Sequence, residues 1–319
     1  MKSLHRLLSI LLTGAVALAF TPVSYAANDV LRIGYQKYGT LILLKARGSL
    51  EKRLAPLGVS VTWNEFPAGP QLLEGLNVGS IDFGTVGETP PIFAQAANAQ
   101  IKYIGYEPPA PGGEAIVVAK DSPIKSVAEL KGKKIALNKG SNVHYLLVRA
   151  LEQAGLKYSD VETVFLPPAD ARAAFERGSV DAWVIWDPFL AAAETSIGAR
   201  VLKDGKSTVN NHQFYLAERT YAARHPDVIA AAFDELKKVD EWAQSKPKEA
   251  AEALAPLTGL NVPTLERALV RGGYGVSYLN DRVIGEQQKI ADTFFSLKLI
   301  PKQLNIRDVV WLPQATAKK

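Results

Sequence analysis

Three stretches of the chain place hydrogen-bond donors where a strand pattern gives way to a helix. They are Lys37-Tyr38-Gly39, Glu88-Thr89 and Gly140-Ser141-Asn142-Val143. The first N–H groups of a helix have no partner inside it and carry the positive end of its dipole, so each stretch suits an anion. The hydroxyls of Thr89 and Ser141 and the amide of Asn142 add neutral donors, although either hydroxyl could serve only as a helix cap. Two aromatic residues, Tyr38 and Trp186, stand beside such turns and could wall an apolar group; two acids, Glu88 and Asp187, stand there as well. The chain has no cysteine and 4 histidines, which excludes thiol nucleophiles and thiolate metal sites. It also lacks a G-x-S-x-G elbow, a His-Glu-x-x-His run and a phosphate-cradling G-x-x-x-x-G-K. Such a set holds a ligand without metal or cofactor and does not transform it.

The elements that must position these residues come from a chain of 319 residues, about two domains at ~150 residues each. It is 47% apolar and 22% charged, an ordinary globular composition. Its net charge is +5, from 37 basic and 32 acidic residues. No dense basic run supports nucleic-acid recognition.

Residues 1–26 read as a secretory signal peptide. Lys2, His5 and Arg6 form a basic start, Leu7 to Phe20 an apolar stretch, and Pro22 precedes the small-x-small site Ser24-Tyr25-Ala26. The apolar stretch is shorter than the ~20 residues needed to span a bilayer. Cleavage is expected after Ala26, with the mature chain soluble outside the cytoplasmic membrane.

Strand and helix patterns then alternate, which argues for parallel α/β sheets. Strands are expected at 30–35, 59–63, 81–86, 101–106, 115–119, 134–137, 161–166 and 182–186. Helices are expected at 41–54, 71–78, from Thr89, after Asn142, at 169–176 and 188–196, and from about His225 onward. Ser126-Val-Ala-Glu129 fits a capping box. Glu107-Pro-Pro-Ala-Pro-Gly-Gly113 reads as a crossing between lobes, and residues 315–319 as a frayed tail.

An internal repeat is informative. Gly79-Ser-Ile-Asp82, followed by a strand and Glu88-Thr-Pro90, is echoed by Gly178-Ser-Val-Asp181, followed by a strand and Asp187-Pro188. Two similar lobes leave a cleft between them, and ligands of open α/β sheets sit at the carboxyl ends of strands.

With these residues in view, the chain resembles a periplasmic solute-binding protein of an ABC importer, of the sulfonate, nitrate and taurine group. It is most similar to the aliphatic sulfonate-binding proteins. The resemblance covers essentially the whole mature chain. It is carried by Gly34-Tyr-Gln-Lys-Tyr-Gly39, Gly79-Ser-Ile-Asp82, Gly87-Glu-Thr-Pro-Pro91, Leu130-Lys-Gly-Lys-Lys134, Lys139-Gly-Ser-Asn-Val-His144, Pro168-Ala-Asp-Ala-Arg-Ala-Ala-Phe175 and Val180-Asp-Ala-Trp-Val-Ile-Trp-Asp-Pro188. The first motif adds Gln36 to the candidate residues. The resemblance implies a type II two-lobed α/β fold, with 27–115 plus 212–319 as lobe one and 116–211 as lobe two. It implies a non-catalytic monomer in the periplasm that hands an organosulfonate to a membrane permease for sulfur acquisition. Taurine, nitrate or a thiamine-precursor pyrimidine are the alternative ligands. A desulfinase-like hydrolase on the same scaffold would need a cysteine nucleophile.

A sulfonate stays a single spread anion that only accepts hydrogen bonds, which matches the donor-rich turns. Many relatives carry a small hydroxyl residue where this chain has Val143, leaving only its backbone N–H. Glu88 is expected to point away and cap the helix at Thr89, or else to receive an ammonium group; Asp187 has the same two readings. Lys37 is expected in solvent, with pairing to the anion as the alternative. Trp183 reads as core or site, His144 as structural or site, and Asp82 and Asp181 as ties between turns.

Overall fold

The computed structural model describes residues 29–312. The expected signal peptide and the tail 315–319 lie outside the described residues. From the start, the elements are β1 (Asp29–Tyr35), α1 (Gly39–Arg47), α2 (Ser49–Leu54), β2 (Val59–Glu65), α3 (Gly69–Asn77), β3 (Phe83–Gly87), α4 (Pro90–Ala96) and β4 (Ile101–Tyr106). A middle set follows: β5 (Glu114–Val118), β6 (Lys134–Leu137), α5 (Asn142–Gln153), β7 (Glu162–Phe165), α6 (Pro168–Glu176), β8 (Ala182–Trp186), α7 (Phe189–Ser196) and β9 (Arg200–Asp204). The chain then returns with β10 (Gln213–Glu218), α8 (Arg219–Arg224), α9 (Pro226–Ser245), α10 (Pro247–Thr258), α11 (Val262–Leu269), β11 (Ser277–Tyr278) and α12 (Asp281–Ser296).

Two sheets result, ordered β11-β4-β10-β3-β1-β2 and β7-β6-β8-β5-β9. They are mixed and not all parallel. β1 runs parallel to β2 and β3, and β6 parallel to β7 and β8, as the alternation implies. β5 and β10 run antiparallel to both of their neighbours. Each of these two follows a crossing, through 107–113 or 205–212. The parallel strands end at the cleft, so a chain arriving from the other lobe begins its new strand at the cleft edge and must run away from it. β9 and β10 were not among the expected strands. Glu114 and Ala115, expected at the end of lobe one, pair with Trp186 and Ile185 in the second sheet, so the crossing finishes before them.

Two local expectations also change. The helix expected over 41–54 is interrupted at Gly48, giving α1 and α2. The capping box at Ser126 is replaced by a 3-10 turn over Val127–Leu130, in which Glu129 accepts from the Lys125 N–H at 3.0 Å and from Ser126 Oγ at 2.9 Å.

The internal repeat is the same device built twice. Gly79 and Gly178 both hold left-handed backbone, φ 70° and 69°, a region glycine enters at little cost. Each N–H caps the preceding helix, Gly79 on Leu76 O at 3.1 Å and Gly178 on Phe175 O at 3.0 Å. Asp82 then accepts from the Arg32 N–H, and Asp181 from the Lys134 N–H, both at 2.8 Å. These carboxylates tie the first parallel strand of each lobe to the third, so that β3 and β8 end side by side at the cleft.

Helices cover both sheets. Phe83, Tyr215 and Phe233 are fully buried between β3, β10 and α9, with ring centroids 5.8–6.5 Å apart. Trp183 is core: it is buried and tilts against Phe175 at 5.9 Å. Burying each such side chain contributes ~1.5–3 kcal/mol.

Candidate functional site

A cleft opens between the two sheets. Six of the candidate residues line it: Lys37, Tyr38, Gly39, Asn142, Trp186 and Asp187. They arrive on the end of β1, the start of α5 and the end of β8. Apolar residues form one wall, with Leu254 from α10, Leu265, Ala268 and Leu269 from α11, and Leu43 from α1, completed by Tyr274 and Trp186.

The other six candidates lie behind this lining. Gln36 donates from Nε2 to Thr85 O at 3.0 Å, and Ser141 Oγ donates to Asn138 O at 2.7 Å. The Gly140 N–H donates to His144 Nδ1 at 3.2 Å. Val143 is buried in the core, and the buried Thr89 hydroxyl has no partner. Glu88 does not cap α4. Its Oε2 accepts the His212 N–H at 3.0 Å. The reason is chemical: the first two residues of α4, Pro90 and Pro91, have no N–H, and the Ile92 N–H is bonded to Thr89 O at 3.0 Å. The start of α5 does not share this defect. Asn142 and Val143 head that helix, and first-turn N–H groups have no acceptor within a helix.

Lys37 extends to a half-exposed position with its Nζ 3.6 Å from the Glu65 carboxylate. His144 is structural. It is buried, its Nδ1 accepts from Gly140, and its Nε2 lies 2.8 Å from Tyr158 Oη. A neutral ring that accepts at Nδ1 carries its proton on Nε2, and burial, with Lys139 nearby, lowers the ring to about 4.

The crossings supply residues that the sequence reading missed. Glu107, Pro108, Ala110 and Gly113 come from the first, and Asn211 and His212 from the second, with Gln213 just beyond. A chain of amides spans the cleft floor: Asn142 Nδ2 donates to Glu114 and to Asn211 Oδ1 at 3.0 Å, and Asn211 Nδ2 donates to Ala110 O at 2.9 Å. Asn211 holds a left-handed backbone at φ 52°, which asparagine tolerates better than most residues. Gly87 faces Asn142 so closely that a Cβ there would lie 2.9 Å from the asparagine Cβ. The crossing 107–113 was legible as Pro/Gly-rich, so Glu107 could have been found from it. The wall at 254–274 carried only helix periodicity, which does not separate a cleft face from a core face.

Buried carboxyls surround the cleft. Burial pushes Glu114 well above the ordinary carboxylate range, with Glu88 adding like-charge repulsion and Asn142 pulling the other way. Burial and the nearby Asp240 raise Glu107, whose Oε1 accepts from Tyr215 Oη at 2.6 Å. Burial raises Glu88 to about 7. It also raises Asp187 to about 7, with Arg271 and the Ala191 N–H pulling down. Arg271 was likewise missed; it lines the cleft with Nε 2.9 Å from Asp187 Oδ2, yet neither atom is aligned for a hydrogen bond. The cleft thus joins an apolar wall to N–H donors, amides and one guanidinium. Among the described residues, no group of three or more His, Cys, Asp or Glu could hold a metal ion.

Comparison with known proteins agrees with this geometry. The sequence matches the NMT1/THI5-like family over residues 56–250. It is 44% identical to an aliphatic sulfonates-binding protein of Escherichia coli K12, over 97% of this chain and 98% of that one. The alkanesulfonate-binding protein of Xanthomonas axonopodis pv. citri, solved bound to MOPS, superposes with a TM-score of 0.85 at 42% identity, over 89% of this chain and 98% of that one. The periplasmic aliphatic sulphonate-binding protein of Escherichia coli superposes with a TM-score of 0.82 at 46% identity, over 91% and 94%. These relatives are solute-binding proteins and not enzymes, and their shared architecture is the periplasmic binding protein fold. By sequence and by structure, then, the chain belongs to the NMT1/THI5-like family and, within it, to the aliphatic sulfonate-binding proteins.

Proposed function

We propose that this protein captures an aliphatic sulfonate in the interlobe cleft and delivers it, as a periplasmic monomer, to the membrane permease of an ABC importer. The observation that carries the reading is the pairing of an apolar wall with backbone N–H donors from both lobes, the start of α5 at Asn142 from one and the Lys37–Gly39 turn from the other. An acceptor-only anion asks for donors and no base, and its alkyl tail asks for the leucines of α10 and α11. The candidates behind the lining enter through the frame they build. Gln36 fixes the end of β1, and Gly140 and Ser141 shape the turn into α5, whose first N–H groups, those of Asn142 and Val143, would face the anion. On the other lobe, Glu88 holds the end of β3 against the second crossing, and Thr89 O receives the Ile92 N–H at the start of α4. Export through a signal peptide cleaved after Ala26 belongs to the same reading.

Asp187 and Glu107 on the lining favour a second reading, an amino-substituted sulfonate such as taurine. Thermal unfolding against ethane-, butane- and octanesulfonate, taurine, sulfate and nitrate separates these. A ligand at a hundred times its Kd adds ~2.7 kcal/mol to the native state. Alkanesulfonates should raise the midpoint and sulfate should not. A shift from taurine alone would move the assignment to the second reading, and silence from every sulfonate would remove both.

A further inference from the structure

We propose that Glu194 is the clasp of the cleft: it holds the lobes shut and fixes Arg271 at the cavity wall, and so sets how long a ligand stays. Glu194 lies on α7, on the second lobe. The groups it binds belong to the first. Its carboxylate receives Arg267 of α11 through two bonds, Nε to Oε2 at 3.0 Å and Nη2 to Oε1 at 2.7 Å. Arg271, two residues beyond α11, adds a third from Nη2 to Oε2 at 2.9 Å, and the same Nη2 reaches Asp187 Oδ1 at 3.1 Å. Thr195 Oγ1 and Thr264 Oγ1 lie 3.0 Å apart beside them, one from each lobe.

Three features set this cluster apart from an ordinary surface ion pair. Every bond crosses from one lobe to the other, so all are lost when the lobes part. The fork of Arg267 meets the carboxylate in the bidentate geometry that makes such pairs strong and specific. The Glu194 side chain is only 15% exposed, so it is shielded from screening by salt. Arg271 belongs to both systems, since it lines the cavity and is held by Glu194. The clasp therefore favours the closed form over whatever the cleft holds, and it acts on dissociation more than on association.

The inference rests on the cleft being the ligand site, and the test separates the two. In the cysteine-free chain, Lys52→Cys and Lys157→Cys place spin labels on exposed positions of opposite lobes. Interlobe distances are measured without and with butanesulfonate, in the parent and in Glu194→Gln and Arg267→Ala variants, alongside stopped-flow binding. Both variants should shift the population toward longer distances and raise koff roughly tenfold with kon unchanged, as expected for charge-assisted bonds. Arg267→Ala should add little in the Glu194→Gln background. Arg267 is half-exposed, so that variant serves if Glu194→Gln folds poorly. Unchanged distance distributions, or equal and additive losses in kon, would overturn the clasp. If butanesulfonate leaves the parent unaffected, the sulfonate reading falls, and the ligand-free distances still decide the clasp.

Discussion

Replacing Glu88 by glutamine should make the protein's stability less sensitive to pH. Glu88 is 1% exposed. Burial raises its carboxyl from 4.5 to about 7, against the His212 and Asn211 N–H groups and with repulsion from Glu286. A carboxyl raised by folding stabilises the native state fully below its unfolded value, and that contribution is lost as pH climbs from about 4.5 through about 7. Between about pH 5 and about pH 8 the loss is ~2.5 kcal/mol, at ~1.4 kcal/mol per tenfold change in proton affinity. For a chain of this length that corresponds to ~4 °C in Tm. Glu88→Gln keeps an oxygen for the His212 N–H and removes the ionisation. The assay is thermal unfolding of both proteins across this range. The Tm of the variant minus that of the parent should grow by ~4 °C from acid to alkaline pH. Asp187, also raised to about 7, is present in both proteins and cancels. A difference that stays constant with pH would refute the reasoning, because it would mean that the buried carboxyl does not change its charge differently on folding.

Two further outcomes are expected. Gly87→Ala places a methyl 2.9 Å from Asn142 Cβ across the cleft, so it should prop the lobes apart; calorimetry should show weaker sulfonate binding with urea stability nearly unchanged, and a parent-like affinity would count against the close approach. Asp82→Ala should cost ~2–3 kcal/mol in urea unfolding and Asp181→Ala ~1 kcal/mol, because the 3%-exposed Asp82 holds both the Arg32 N–H and its guanidinium while the exposed Asp181 holds only the Lys134 N–H. Equal losses would sink that distinction.

Much of this architecture is legible in the sequence, and the exceptions have physical reasons. The repeat around Asp82 and Asp181 announces the two lobes because a left-handed turn and a strand tie each demand a specific residue type. Pro90 and Pro91 announce a helix start, but the same prolines deprive that start of the N–H groups an anion or a capping carboxylate would need. β5 and β10 look like any buried strand; their direction depends on where the chain enters the sheet, which periodicity does not encode. Arg271 carries no local signal, since its place in the cleft comes from the packing of α11 on α7.

The position of β10 has a consequence for how the chain acquires its shape. β10 sits between β3 and β4 in the first sheet, yet it follows β4 by more than a hundred residues, with the whole second sheet in between. The second sheet is one continuous segment and can assemble from nearby contacts. The first cannot: until residues 213–218 arrive, it is the three strands β3-β1-β2 and a lone β4, with the strand that joins them missing. Chains dominated by such distant pairings assemble slowly. A polypeptide emerging from its N-terminus therefore completes its second lobe before its first and keeps the first half-built until nearly the whole chain is available. For a chain whose homologues are periplasmic, that order leaves the N-terminal strands without their finished sheet until late in synthesis.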